Sequence, residues 1–306
     1  MELIRPGINI DLVGKMRIAC WASLVVIIIS VLSLVFHGGP KLGIDFAGGT
    51  QIQVKFSQEA TADGIRDSLR SMGLGNNVIQ RFGYKDNNEF LIKTERSSSE
   101  LEGLSDKITE ALGATYGKEN VDIRRVEVVG PKVGKDLRQK GLLAMLYAVI
   151  GILIYVTWRF ELRYAVGAIV ALIHDVIITV GIFSLLGKEF TLPIIAALLT
   201  IIGYSLNDTI VVYDRIRENI KGARKQPLKE LINLSINQVL SRTVLTSVTT
   251  LLVVLALFFL GGAVIHDFAF ALLVGIVVGT YSSIFVASPT VLAWETISPS
   301  KEKRKQ

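Results

Sequence analysis

Gly203-Tyr204-Ser205-Leu206-Asn207-Asp208-Thr209-Ile210-Val211-Val212-Tyr213-Asp214-Arg215-Ile216-Arg217-Glu218-Asn219 starts inside an apolar run that begins near Leu192, and it ends among charges. The run is long enough to cross a bilayer at about 20 residues per span. Asp208 lies well inside it. A carboxylate at that depth costs at least ~2.5 kcal/mol on insertion scales, so its first reading is functional. Tyr204 and Ser205 precede it by three and four residues and share its helical face. Asn207 and Thr209 flank it as possible hydrogen-bond donors. The alternative is a protonated Asp208 that only bonds a neighbouring helix.

The surrounding composition agrees with a membrane chain: 50% of the residues are hydrophobic, and mean hydropathy is positive. Cys20 is the single cysteine, so no disulfide framework can form. The three histidines, His37, His174 and His266, are far apart, and no metal-ligand cluster, cofactor motif or phosphate loop is present. The formal charge of +6 does not point to nucleic acid. Much of the basic excess falls in the segment 215–229 and in Lys301-Glu302-Lys303-Arg304-Lys305-Gln306, as on the cytoplasmic face of a membrane protein.

Outward from the central stretch, apolar runs near 18–36, 141–158, 164–186, 243–260 and 268–292 complete a set of six spans. The first has a basic flank like a signal peptide, but its core is long and no small-residue cleavage site follows. We read it as an uncleaved helix. Residues 214–239 are amphipathic and read as a helix lying at the interface. Arg and Lys gather before the first span, at Arg159 and Arg163, through 215–229 and in the tail, whereas the opposite short loops hold only Lys188. The positive-inside rule then puts both termini in the cytoplasm and residues 38–140 outside. This gives four parts: 1–37, the N-terminus and first span; 38–140, the external domain; 141–295, spans two to six; and 296–306, a basic tail.

The external segment is a different material, with frequent charges of both signs. Strand patterns fall at 51–56, 78–82, 89–93 and 121–129, a turn at 83–88, and helical stripes at 60–72 and 101–112. The order β-α-β-β-α-β is that of a ferredoxin-like α+β unit. The fold class is therefore an α-helical membrane protein with one such domain between its first and second spans.

Other spans carry polar residues as well. Arg242, Thr246 and Thr249 share a face of the fifth span. Arg242 reads either as a snorkelling residue or, with the threonine stripe, as facing the bundle interior near a carboxylate. The third span carries His174, whose simplest role is an interhelical hydrogen bond, and Asp175, open between structure and function. Gly275, Gly279 and Ser283 make a small-residue line suited to a packing seam, internal or against a second subunit. Asp214, Arg215, Arg217 and Glu218 read as a helix end with local ion pairs.

Lys41-Leu42-Gly43-Ile44-Asp45-Phe46-Ala47-Gly48-Gly49-Thr50 follows the first span, its glycines permitting tight backbone turns. With His174-Asp175-Val176, the Gly203–Asn219 stretch and Ser241-Arg242-Thr243, it makes the whole chain resemble the SecF family, membrane subunits of the SecD–SecF protein-export accessory. The resemblance implies membership of the resistance-nodulation-division superfamily. It implies pairing with SecD beside the SecYEG translocon in the bacterial inner membrane, multi-pass within its lipid, and export of unfolded secretory polypeptide driven by protons. It implies a proton pathway at Asp208 and Arg242, to which Asp175, Asn207 and Thr209 are candidate contributors. It gives Asp45, Phe46, Gly48 and Gly49 a structural role. It implies no covalent chemistry, hence no catalytic residue, cofactor or metal. The alternatives are half of a proton-driven efflux transporter of the same superfamily and a passive assembly scaffold.

Overall fold

Lipid offers no water to satisfy peptide groups, so apolar segments must fold as helices. In the computed structural model, which describes residues 9–70, 78–82, 88–94, 104–222 and 226–297, six helices are long and apolar enough to cross a membrane. The turn at 83–87, Met72, Leu101 and the basic tail from residue 298 lie outside the described residues. The first span, α1, is Leu12–Phe36. Asp11 caps it by accepting the Gly14 N–H at 2.7 Å, satisfying one of the free donors that begin any helix.

A short turn, α2 (Ile44–Ala47), leads into the α+β domain: β1 Gly49–Phe56, α3 Ala62–Arg70, β2 Val78–Phe82, β3 Glu89–Thr94, α4 Leu104–Tyr116 and β4 Val121–Val129. The sheet order is β2-β3-β1-β4 and every described pairing is antiparallel, as the split βαβ pattern requires. Alternation decides the faces. Ile52, Val54 and Phe56 alternate inward on β1 and meet Ile65 and Leu69 of α3 and Ile108 and Leu112 of α4. Gln51, Gln53 and Lys93 point the other way, over a cleft of about 870 Å³ that reaches Glu189 and His266.

Span two, α5, is Pro131–Arg159, and Pro131 sits at its first turn, where a missing N–H costs nothing. The helix starts well before the apolar run, so residues 131–140, assigned from sequence to the external domain, extend the span. The remaining spans are α6 (Leu162–Leu185), α7 (Leu192–Gly222) and α8 (Leu228–Leu260), followed by α9 (Gly262–Ser282), which continues through a π-turn at Ser283–Ala287 into α10 (Ser288–Ile297). Instead of one separate helix over 214–239, residues 214–222 continue α7 and residues 228–239 begin α8, because nothing between Tyr213 and Lys221 breaks a helix. Pro227 then sets the start of α8, biasing Gln226 away from helical backbone angles.

Spans three, four and six make the centre of the bundle, and spans one, two and five carry broad exposed faces. The glycine seam is internal: a Cβ on Gly275 would stand 2.2 Å from Ile201 of α7, and one on Gly279 would stand 3.0 Å from Ser205. On the third span, a Cβ on Gly181 would meet Ser30 of α1 at 2.1 Å. Only a hydrogen fits at these crossings, which is how small residues let spanning helices approach.

The Asp45-Phe46-Ala47-Gly48-Gly49 turn ties domain to bundle. Asp45 accepts the N–H of Leu192, the first residue of α7, at 2.8 Å. The Phe190 N–H donates to the Lys41 carbonyl at 2.7 Å, and the Gly43 N–H to the Phe190 carbonyl at 2.9 Å. Phe46 is buried beside Phe190. Gly48 has φ +79° and a Cβ there would lie 3.0 Å from the Pro131 Cα. Gly48→Ala is expected to cost about 2–6 kcal/mol, from ~1–3 for a backbone region essentially reserved for glycine and ~1–3 for overpacking. Thermal unfolding in detergent measures it; an unchanged midpoint would show that the turn carries no such constraint.

Candidate functional site

Asp208 and Asp175 are both almost fully buried, at 2% and 1% exposure, in the middle of the bundle. Two hydrogen-bond networks surround them. Asp175 of α6 is held on three sides. Its Oδ1 meets His174 Nδ1 at 2.9 Å, and its Oδ2 accepts from Ser205 of α7 at 2.6 Å and Ser282 of α9 at 2.8 Å. His174 carries the chain onward, its Nε2 lying 3.1 Å from Ser23 Oγ of α1. Ser23 in turn meets the Tyr281 hydroxyl at 2.9 Å, and that hydroxyl donates to the Ala19 carbonyl at 2.7 Å. The interhelical bond read for His174 is present. Asp175, His174 and three serines thus link four spans.

Asp208 is less tightly held. Ser247 of α8 donates to its Oδ2 at 3.5 Å, and Asn207 is its neighbour in the chain. Ser247 is shared: it lies 2.7 Å from Thr280 Oγ1 of α9 and accepts from the Tyr204 hydroxyl at 3.4 Å. Thr209 is buried, but no hydrogen bond joins it to Asp208 among the described residues. Ser205 shares the Asp208 face by spacing yet serves Asp175.

Arg242 is exposed on α8. Among the described residues no ion pair within 4.0 Å joins it to Asp208. Ser247 is level with Asp208, and Arg242 lies five residues before it, about 7.5 Å along the helix axis. The threonine stripe does not face the interior. Thr249 is exposed and Thr246 half-buried, while Thr243 and Ser247 are the buried positions. Thr246 donates to the Arg242 carbonyl at 3.1 Å and Thr249 to the Leu245 carbonyl at 2.9 Å. Threonines that satisfy themselves on their own helix report no partner across a bundle.

The sequence reading missed Ser23, Ser247, Thr280, Tyr281 and Ser282. Thr280-Tyr281-Ser282 is the junction of both networks, one residue supplying the Asp208 side and two the Asp175 side. The π-turn begins at the next residue. The Ala287 carbonyl, at the end of that turn, accepts the Tyr213 hydroxyl at 3.1 Å. Such turns interrupt helices at functional sites often enough to mark this one for attention. The signal available in the sequence was the run of three hydrogen-bonding side chains right after Gly279. At the helix end, Arg215 and Glu218 pair at 2.5 Å as read, and Arg159 reaches Asp214 at 3.6 Å.

Two buried carboxylates thus lie at the centre of the bundle, with an exposed cation to one side. Comparison with known proteins gives the family. Residues 108–297 match the family model described as protein export membrane protein SecD/SecF, C-terminal, and residues 33–60 match the SecD/SecF GG motif. The chain is 51% identical to the protein translocase subunit SecF of Magnetococcus marinus, over 98% of this chain and 97% of that one. It is 49% identical to the protein translocase subunit SecF of Desulfurispirillum indicum, over 91% and 90% respectively. The crystal structure of SecDF from Thermus thermophilus superposes with a TM-score of 0.82 at 42% identity, over 97% of this chain and 40% of that chain. This chain therefore spans well under half of that SecDF chain. By these matches along nearly its whole length, the chain belongs to the SecD/SecF family of protein export membrane proteins.

Proposed function

We propose that the chain works as a SecF-type subunit that pairs with a SecD subunit beside the SecYEG translocon and uses the proton-motive force to promote export of unfolded secretory polypeptides. The observation that carries this reading is Asp208. It is a buried carboxylate in a central span, with one long hydrogen bond, from Ser247, rather than the three partners that fix Asp175. A group held that loosely can exchange a proton without dismantling the bundle. Asp208 binds and releases the proton, and Arg242 controls release by its distance. Asn207 supports the carboxylate, Asp175 is a second group of the pathway, and Thr209 shapes the wall.

The remaining roles follow from placement. Asp45 holds the first turn of the helix that carries Asp208, so movement of the α+β domain and of α7 are mechanically joined. The cation-rich ends at Arg159, Arg163, Arg215 and Arg217 lie at the end of the bundle where α1 begins and α10 ends. That end faces the cytoplasm of a bacterial inner membrane, and the α+β domain faces outward. Arg242 is exposed in the isolated chain because its surface awaits the partner bundle. One six-span chain alone leaves that side of the pathway open to lipid.

Arg242→Lys tests the pair. Guanidinium offers a planar fork and ammonium a point charge. Proton-driven export by the complex in vesicles is expected to fall nearly to background, with the complex still assembled. Full activity in this variant would show that Arg242 contributes only a positive charge at the interface.

A further inference from the structure

At the end of the bundle where α1 begins, α1, the first turns of α10 and the start of α8 leave a cavity of about 610 Å³. That size lies within the range of small-molecule sites, about 300–1,000 Å³. Val13, Met16 and Leu292 form apolar wall, and Arg17, Lys229 and Trp21 stand around it. No carboxylate lines it among the described residues. Nor do Arg17 or Lys229 make an ion pair among them. Asp11 accepts the Gly14 N–H, Glu295 pairs with Arg163 at 2.7 Å, and exposed Glu230, beside Lys229, does not line the cavity.

Two cations with no ion pair among the described residues, beside an apolar wall, select a ligand that is anionic at one end and apolar at the other. A free phosphate would leave the wall exposed to water. An acyl chain alone would leave both cations unanswered. The exposed apolar face of α1 continues from the cavity through Ile18, Trp21 and Leu24, at 73%, 68% and 43% exposure, along the direction acyl tails would take. Trp21 supplies the amphipathic ring that spanning helices place at head-group level. Basic pockets between spanning helices bind anionic head groups in this way, and the Arg17 fork matches two phosphate oxygens. We propose that this cavity binds the head group of an anionic phospholipid, with Arg17 and Lys229 on the phosphate and the acyl chains along α1.

The full-length chain, purified in detergent and mixed with phosphatidylglycerol or phosphatidylcholine, tests this by native mass spectrometry. Phosphatidylglycerol should be retained in preference. Arg17→Gln and Lys229→Gln should each weaken retention roughly fivefold, and together about thirtyfold, at the usual contribution of a basic residue near anionic lipid. Arg17→Lys with Lys229→Arg keeps both charges and should restore binding. Arg138→Gln, an exposed cation on α5 near the α+β domain, should change nothing. Cys20, the single cysteine, is exposed and lines the cavity. A photo-crosslinker attached there should capture phosphatidylglycerol in the parent chain and not in the double Gln variant. Equal retention of the two lipids, unchanged retention in the double Gln variant, an equal loss in Arg138→Gln, or displacement by millimolar inorganic phosphate would each overturn the assignment.

Discussion

Asp208→Asn is expected to leave the complex assembled and to abolish proton-dependent export. The substitution is nearly isosteric, and an amide oxygen can still accept from Ser247, so the fold should hold within about 1 kcal/mol on the scale of single hydrogen bonds in membranes. What it removes is the exchangeable proton. The membrane potential supplies about 2.3 kcal/mol per charge for each 100 mV, enough to bias two conformations of the bundle. Without a group that changes charge, that work has nothing to act on. Export in vesicles should drop to the level seen without an imposed proton gradient. Export that still responds to the gradient would leave Asp208 with a packing role.

Asp175 should show the opposite balance. Its carboxylate accepts from His174, Ser205 and Ser282, so it links α6, α7 and α9 and, through Ser23, α1. Asp175→Ala strands three donors in a dry interior. At ~0.6–1.7 kcal/mol per interhelical hydrogen bond, the loss should be about 2–5 kcal/mol. The variant should melt well below the parent in detergent. Asp175→Asn separates the acceptor from the proton: it should retain most of the stability and still reduce proton-driven export. Unchanged export in Asp175→Asn would leave Asp175 as an acceptor that only holds helices together.

The contrast between these carboxylates also marks what a sequence can tell. Both were legible, because ionisable groups inside apolar runs are expensive and therefore rarely incidental. The α+β domain was legible because strands alternate faces: Gln51, Gln53 and Lys93 outward, Ile52 and Val54 inward. The serines and threonines around the carboxylates were not. A hydroxyl can bond the carbonyl one turn back, as Thr246 and Thr249 do, so it costs a spanning helix little and leaves no periodic trace. The fifth span was assigned the wrong inner face for that reason. Hydrophobicity runs almost evenly around α8, and Thr243 and Ser247, beside the stripe, are the buried positions. The segment 214–239 was misread because amphipathic spacing describes an interfacial helix and the solvated end of a spanning helix equally well. The distinction lay in the breaker at Pro227.

The Gly48-Gly49 turn shows how sequence and packing combine. The glycines announced an unusual backbone, and the structure supplies the reason: φ is positive at both and Pro131 packs against the first. Asp45, in the same motif, reaches the start of α7. One short motif thus connects the α+β domain, the second span and the helix that bears Asp208. No periodicity in the chain could have shown that connection, since its partners are far apart in sequence.

The central claim is that Asp208 carries protons across the membrane when this chain is paired with its partner. Vesicles containing the co-purified chain and SecD subunit, loaded with a pH-sensitive dye and energised by an imposed gradient, measure it directly. Proton flux should be present with the parent complex, absent with Asp208→Asn, and absent when the chain is reconstituted alone. Normal flux through the Asp208→Asn complex, or full flux through the chain alone, would contradict the account.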